Sequence, residues 1–409
     1  DAALKASLEA KDAADQAGYG TSISSIQTWD ETFYAYDGGT FNPEAIIVVP
    51  TTNNELTGTT GILLNDWEKA IRPAILDGDG VGYPAPKQML DLFPLANGKR
   101  PSSENGYNEE LFFLDRDPRF YRTLAFSGCS LQSSSDSKTI WLYGYKSGDD
   151  KYNYTDGSTN NPITGKSKAL VWKMSNPKAS NSRPDLGGAD ILEYRYAELI
   201  LNIAECYAAK GDVSNCTKYL NIIRSRVGAG NIPAISDKYK AIEAVLYERR
   251  IELAYEGKRA WDTRRWLLYE GGAGFHIAND GNIDPKTAHG QGWKLYKEYT
   301  AASNVCTKLG VEPISGMKHI SEIWGYDLVN TTIGNDPFID NSEKKAIDND
   351  PIKRTDSEDV RKAKLNKLKT FYQNNLATVN LNKDDILFSG YDGKYGMDYV
   401  SKYPNFGIM

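Results

Sequence analysis

The sequence predicts a mainly α-helical protein, in which helical hairpins near the middle of the chain carry a large loop-rich part containing short β-strands. Three observations predict it. Residues 190–268 hold apolar stripes at three-four spacing, punctuated by Gly211, Gly228 and Gly257 where helices must exit. Residues 21–184 are rich in Gly, Pro, Asn, Ser and Thr, with apolar runs too short for helices. Residues 271–409 return to that texture, interrupted by one charged helical stretch at 356–374 whose Lys and Arg read as a solvated face.

Taken in order, residues 1–20 form an Ala-rich helix with Leu4 and Leu8 on one face, ending near Gly18. No capping residue stands before it, so it reads as the remnant of an N-terminal helical repeat with sequence upstream. In the segment 21–184, residues 46–49 and 141–145 read as brief strands and residues 88–93 as a helical patch. Loops held by a rigid frame are where binding surfaces sit.

In the segment 185–270, Leu192, Tyr196, Leu199, Ile203 and Cys206 share a helical face, with the small residues Ala197 and Ala204 beside them. Gly211 ends that helix, and Asp212 is placed to cap the next, whose stripe runs through Val213, Cys216, Leu220, Ile223 and Val227 to Gly228. Asp237 caps a third helix through Ile242, Leu246 and Leu253, and a fourth runs from Arg259 through Trp266. Two consecutive hairpins with small residues at their crossings look like tetratricopeptide-type repeats. Segment 271–409 is the C-terminal loop-rich region.

Cys206 and Cys216 stand five residues either side of Gly211 and so face each other across the hairpin turn. Helix axes pack ~8–10 Å apart and a disulfide needs Cα atoms within ~7 Å. Either a close crossing allows a bridge or both remain buried free thiols. Four cysteines in all are sparse for a disulfide scaffold and favour neither redox compartment.

A formal net charge of −6 over 409 residues gives no basic footprint for nucleic acid and disfavours loose adsorption to anionic lipid. No run approaches the ~20 apolar residues of a membrane span. The 26 Tyr and 8 Trp are the compositional oddity, because a chain this polar must keep some of those rings outside its core. Such rings offer a flat apolar face with a polar tip, which suits sugar rings and peptide backbones. On their placement among Gly- and Asn-rich loops, Trp67, Trp141, Tyr143, Trp293 and Trp324 are the candidate ligand-binding residues, the alternative for each being loop anchoring.

The sequence offers no nucleophile elbow and no phosphate-cradling loop, and His276, His289 and His319 lack metal-ligand spacing. The DGDG run at 77–80 and the trio Asp280, Asn282 and Asp284 hint at calcium loops, without the terminal bidentate acid such loops need. No cofactor is expected. A carboxylate pair for a glycosidase cannot be chosen from 54 acids without geometry, so a polysaccharide hydrolase stays the less favoured reading.

Four segments carry a family resemblance. YERRIELAYEGKRAWDTRRW at 247–266 resembles the signature block of the SusD/RagB family almost position for position. RYAELILNIAECYAAKGD with NIIRSRVGAG, within 195–230, is similar to the helical hairpin that precedes that block. RDPRFY at 116–121 matches a family turn, PAPKQMLDLFPLANGK at 84–99 resembles the stretch before it, and the terminal NFGIM looks like a weak family terminus. In the block, Glu248, Arg249, Glu252, Glu256, Arg259, Asp262, Arg264 and Arg265 alternate in sign, with Trp261 and Trp266 among them. They read as a structural ion-pair network in which Arg forks pair carboxylates and stack on indoles, rather than as an acid/base or anion site. In RDPRFY, Pro118 holds Asp117 extended, and both Arg are placed to satisfy nearby carbonyls.

The resemblance implies a non-enzymatic, lipid-anchored protein of the outer-membrane surface, held to the membrane through an anchor this chain lacks. Tetratricopeptide-like helices would dock on a SusC-like TonB-dependent transporter while the loop-rich face captures an oligosaccharide. A peptide ligand is the alternative within the same family.

Overall fold

Fifteen residues of good helix formers open the chain as α1 (Ala2–Gln16), and Gly18, at φ +85°, lets the backbone leave it. The computed structural model describes residues 1–20, 22–36, 40–51, 65–71, 83, 85, 87–134, 136–146, 152–154, 168–180, 183–266, 268, 307–311, 331–333 and 338–376. A Ser25–Thr28 capping box starts α2 (Ile26–Glu31). There follow β1 (Ala45–Val49), α3 (Asp66–Ile71), α4 (Lys87–Leu92) and α5 (Phe120–Thr123). The short strands come next: β2 (Leu124–Phe126), β3 (Ser130–Gln132), β4 (Ser137–Thr139), β5 (Gly144–Lys146), β6 (Tyr152–Tyr154) and β7 (Ala169–Val171). Then β8 (Ile191–Arg195) leads directly into α6 (Tyr196–Lys210), α7 (Val213–Ser225), α8 (Lys238–Glu252) and α9 (Arg259–Arg265). After these lie β9 (Thr331–Ile333), α10 (Ser342–Asn349) and α11 (Glu358–Phe371). The protein is helix-rich, and its strands form small sheets: β1 with β8, β2 with β7, β3 with β4, all antiparallel, and β5–β6–β9 with β9 parallel to β6.

The central helices follow the sequence signals closely. Gly211 takes the left-handed exit of α6 at φ +81°, and Asp212 caps α7 by accepting from the Asn215 amide at 3.0 Å. Asp237 accepts from the amides of Tyr239 and Lys240 at the start of α8. Ala197, Ala204, Ala208 and Ala241 are fully buried, and these small side chains let α6, α7 and α8 approach closely. α1 packs on the other flank of α6, where the Tyr196 hydroxyl donates to Asp15 at 2.6 Å.

Two expectations are corrected. Leu192 belongs to β8, opposite Val48, and not to the helix, which begins at Tyr196. The three-four spacing runs on through Leu192 by coincidence, because pairing with β1 is a long-range event that local periodicity cannot report. The strand expected at 141–145 is displaced to Gly144–Lys146, leaving Trp141 and Tyr143 buried ahead of it. Cys206 and Cys216 are both free thiols, Cys216 buried as expected and Cys206 only half-buried.

A second core joins the middle of the chain to α10 and α11. Phe93, Phe113, Phe120, Phe126, Leu368 and Phe371 are buried together, with Phe113 and Phe126 stacked at 5.5 Å. The turn at residues 96–98 is pinned to the exit of α7 by two glycines. A Cβ on Gly230 would lie 2.6 Å from the Asn97 carbonyl carbon and from the Gly98 nitrogen, so two backbones meet there with no room for a side chain. Gly228 has φ +73° and open space around it. Gly230→Ala is expected to cost about 1–3 kcal/mol through forced backbone shifts, measured by urea denaturation. Gly228→Ala, carrying only left-handed strain, is expected to cost about 1–2 kcal/mol and to leave the contact between 96–98 and 230–231 unchanged in hydrogen exchange.

Candidate functional site

Glu252 stands at the end of α8, fully buried, with donors converging on it from distant parts of the chain. Its Oε1 accepts from Trp29 Nε1 at 2.9 Å, Arg195 Nη1 at 2.9 Å and Arg226 Nη2 at 2.8 Å, and its Oε2 from Arg119 Nη1 at 2.9 Å. Arg119 also forks onto Asp117 and reaches Glu248 at 2.7 Å. Arg195 pairs Glu256 at 2.7 Å and Glu44 at 3.1 Å, and Arg226 reaches Glu44 at 3.2 Å. Lys173 donates to the carbonyls of Glu252 and Ala254 and to Glu256 Oε1 at 2.6 Å. With Arg224 at 3.7 Å from Glu248, five cations face five carboxylates: Arg119, Lys173, Arg195, Arg224 and Arg226 against Glu44, Asp117, Glu248, Glu252 and Glu256.

Burial by itself raises the Glu252 carboxyl, but Arg195, Arg226, Arg119 and Lys173 outweigh it and hold the group well below the usual carboxylate range. Burial likewise raises Glu256, and Arg195 and Lys173 bring it down. Burial pushes Lys173 down to about 8, with Glu256 opposing, so the ammonium is charged at neutral pH. A general acid for glycoside cleavage needs a raised carboxyl pKa. These two are lowered, and their chemistry is that of a structural joint.

A second cluster locks α8 to α9 and α6. Arg249 Nε forks onto Asp262 at 2.8 and 3.0 Å, while its Nη atoms reach Asn202 and Glu198. Arg265 pairs Asp262 and Glu205, and Trp266 donates to Glu205 at 3.0 Å. In the structure Glu248, Arg249, Glu252, Glu256, Asp262, Arg265 and Trp266 each make ion pairs or hydrogen bonds, and two details differ from the sequence expectation. The indole stacking gives way: Trp266 is held by a hydrogen bond, and Trp261 is 68% exposed. Many partners also lie outside the block, in Arg119, Lys173, Arg195 and Arg226. The second Arg of RDPRFY is the clearest case. Arg116 does donate to the carbonyls of Phe112, Leu90 and Phe93, but Arg119 serves carboxylates. Arg259 lies on α9 at the edge of this cluster, beside Asp262 in the lining of a small cavity.

Among the described residues, the expected ligand-facing rings are buried or half-buried. Trp141 is 7% and Tyr143 1% exposed, with rings 5.2 and 6.0 Å from Phe371. Trp141 Nε1 donates to Asp348 at 2.8 Å, and the Lys344 ammonium sits 4.8 Å over its ring. Trp67 is half-buried, its indole donating to the Lys173 carbonyl at 3.2 Å beside Tyr83. For Trp141 and Tyr143 the expectation of an open ring face is corrected: α10 and α11, distant in sequence, close over them. Trp293, Trp324 and the two calcium-like stretches at 77–80 and 280–284 lie outside the described residues. Among the described residues no group of three or more His, Cys, Asp or Glu could hold a metal ion, and no helix is long and apolar enough to cross a membrane.

Helical hairpins bolted by buried ion pairs to an aromatic core with small accessory sheets define the class of protein. The family model of the SusD family matches residues 9–384, and the chain belongs to that family. Two relatives from Formosa agariphila are similar to parts of it. SusD-like protein P38 is 34% identical over 93 residues, 21% of this chain and 18% of that protein. SusD-like protein P2 is 27% identical over 166 residues, 38% of this chain and 30% of that protein. The crystal structure of a SusD-like protein from Bacteroides fragilis NCTC 9343 superposes with a TM-score of 0.50 at 22% identity, over 65% of this chain and 50% of that one, which is a likeness of fold. The chain thus spans half or less of the length of these relatives.

Removing one partner from a buried ion cluster strands the others, so Arg119→Ala is expected to lose about 3–5 kcal/mol of stability by chemical denaturation. Because Glu252 and Glu256 lie below their ordinary value of 4.5, their stabilisation is complete above that pH and is lost progressively as pH falls toward their folded-state values. Melting temperature should stay level from neutral pH down to ~5 and then drop, with a shallower drop in Glu252→Gln. Trp141→Ala should cost about 3–5 kcal/mol as a core cavity, read from the same denaturation curves.

Proposed function

We propose that this chain is the ligand-capturing body of a cell-surface lipoprotein of the outer membrane, which takes up an oligosaccharide and delivers it to a SusC-like TonB-dependent transporter. One observation carries the reading: family membership across residues 9–384. SusD family proteins are generally binding proteins of the outer-membrane surface that pair with SusC transporters. The joint around Glu252 supports the same reading, since it ties the helical frame to the aromatic core and holds Glu252 and Glu256 in the ionised state. Capture then needs only preorganised loops and a polar-aromatic surface. With Trp141 and Tyr143 committed to the core, Trp293 and Trp324 are the proposed sugar-stacking rings, each set among Gly, Asn or Ser neighbours in sequence.

Calorimetric titration against a panel of oligosaccharides and a mixed peptide digest is the test. Saturable binding of a glycan without product after long incubation is expected, weakened about tenfold or more in Trp293→Ala or Trp324→Ala at unchanged melting temperature. Binding confined to peptides would replace the oligosaccharide by a peptide cargo, and release of shortened glycan would overturn the capture reading.

A further inference from the structure

A groove of about 310 Å³ lies between the turn at 98–100, the end of α7, the segment 232–236 and the Lys240–Tyr247 stretch of α8. Its apolar lining includes Ile232, Pro233, Ile235 and Tyr247, and its charged lining is three cations, Arg100, Arg224 and Lys240, against the single carboxylate Glu243. Lys240, Glu243 and Tyr247 recur at helical spacing and so share one face of α8. Arg100 is already engaged: it pairs Glu243 at 2.5 Å and its guanidinium lies 4.1 Å over the Tyr247 ring.

Arg224 is different. It is 1% exposed, yet its carboxylate neighbour Glu248 gives Oε1 to Arg119 at 2.7 Å and leaves Oε2 at 3.7 Å from Arg224 Nε. Neither that nitrogen nor that oxygen makes a hydrogen bond. Arg224 Nη2 has only a long contact of 3.3 Å to the Gly98 carbonyl. The guanidinium is therefore buried with its ion pair to Glu248 long and not hydrogen-bonded, in a concave wall where low dielectric strengthens its field. Lys240 adds a second positive charge at the rim.

We infer that this groove is a binding site for a carboxylated sugar residue, a uronate, seated with its carboxylate toward Arg224 and Lys240 and its C–H face on the apolar wall. The volume is at the small end of ligand pockets and suits one sugar residue rather than an extended chain. That the carboxylate belongs to a sugar rests on the function proposed above; the cationic floor rests on the geometry alone.

The purified chain titrated with D-glucuronate, D-glucose and N-acetyl-leucine in low and high salt provides the test. Glucuronate should bind saturably and lose affinity with salt, with glucose weaker by about tenfold or more. Lys240→Ala should weaken glucuronate several-fold, and Ala234→Trp, which fills the groove from an exposed lining position, should remove binding while the melting temperature holds. Equal affinity for glucose and glucuronate, absence of glucuronate binding, unchanged binding in Ala234→Trp or a preference for N-acetyl-leucine would each overturn the inference. Neutral oligosaccharides binding to a protein that ignores glucuronate would sink the groove alone and leave the proposed capture function standing.

Discussion

A glutamate removed wholly from water can stay ionised only if the protein replaces the hydration it has lost, and Glu252 shows what that requires. Three guanidinium groups and an indole N–H meet its two oxygens, and those donors come from four widely separated places in the chain. Desolvation of such a cluster costs much of what its Coulomb attraction returns, so its net contribution to stability is modest. Its contribution to uniqueness is larger, because any other arrangement of these segments leaves a bare charge in the interior.

That constraint sets the architecture outward from itself. β8 delivers Arg195 immediately before α6 begins, so one arginine fixes both the β1–β8 ribbon and the first helix of the hairpin. The RDPRFY turn delivers Arg119, and the Phe residues that follow build the aromatic core onto which α10 and α11 fold. Lys173 closes the ring by holding the carbonyls at the end of α8, stacked between Trp29 and Phe33. The helical frame and the aromatic core thus share their charged joint.

The same economy explains why the groove beside α8 is cationic. Glu248 has two oxygens and two arginine neighbours, and Arg119 sits within good hydrogen-bonding distance while Arg224 does not. Two glycine backbones meeting at 98 and 230 form the wall beside which Arg224, 1% exposed, lines the groove. The frame thus leaves a loosely paired arginine at its edge, facing the groove.

The helices were legible in the chain itself because their determinants are local. Gly211, Asp212 and Asp237 act on backbone groups within four residues, and alanines at three-four spacing declare a close crossing before any partner is known. The signature block announced its ion pairs through alternating charge, and the family through its motifs. What the order of residues could not reveal was who pairs with whom across the fold. Arg119 looked like a turn residue, Leu192 like the start of a helix, and Trp141 and Tyr143 like loop aromatics. Each was reassigned by a segment far away in sequence: by Glu248 and Glu252, by β1, and by α10 with α11. Local backbone chemistry is written in short strings of residues, whereas burial and charge pairing depend on which distant segments come to share the same low-dielectric space, and tertiary structure alone decides that.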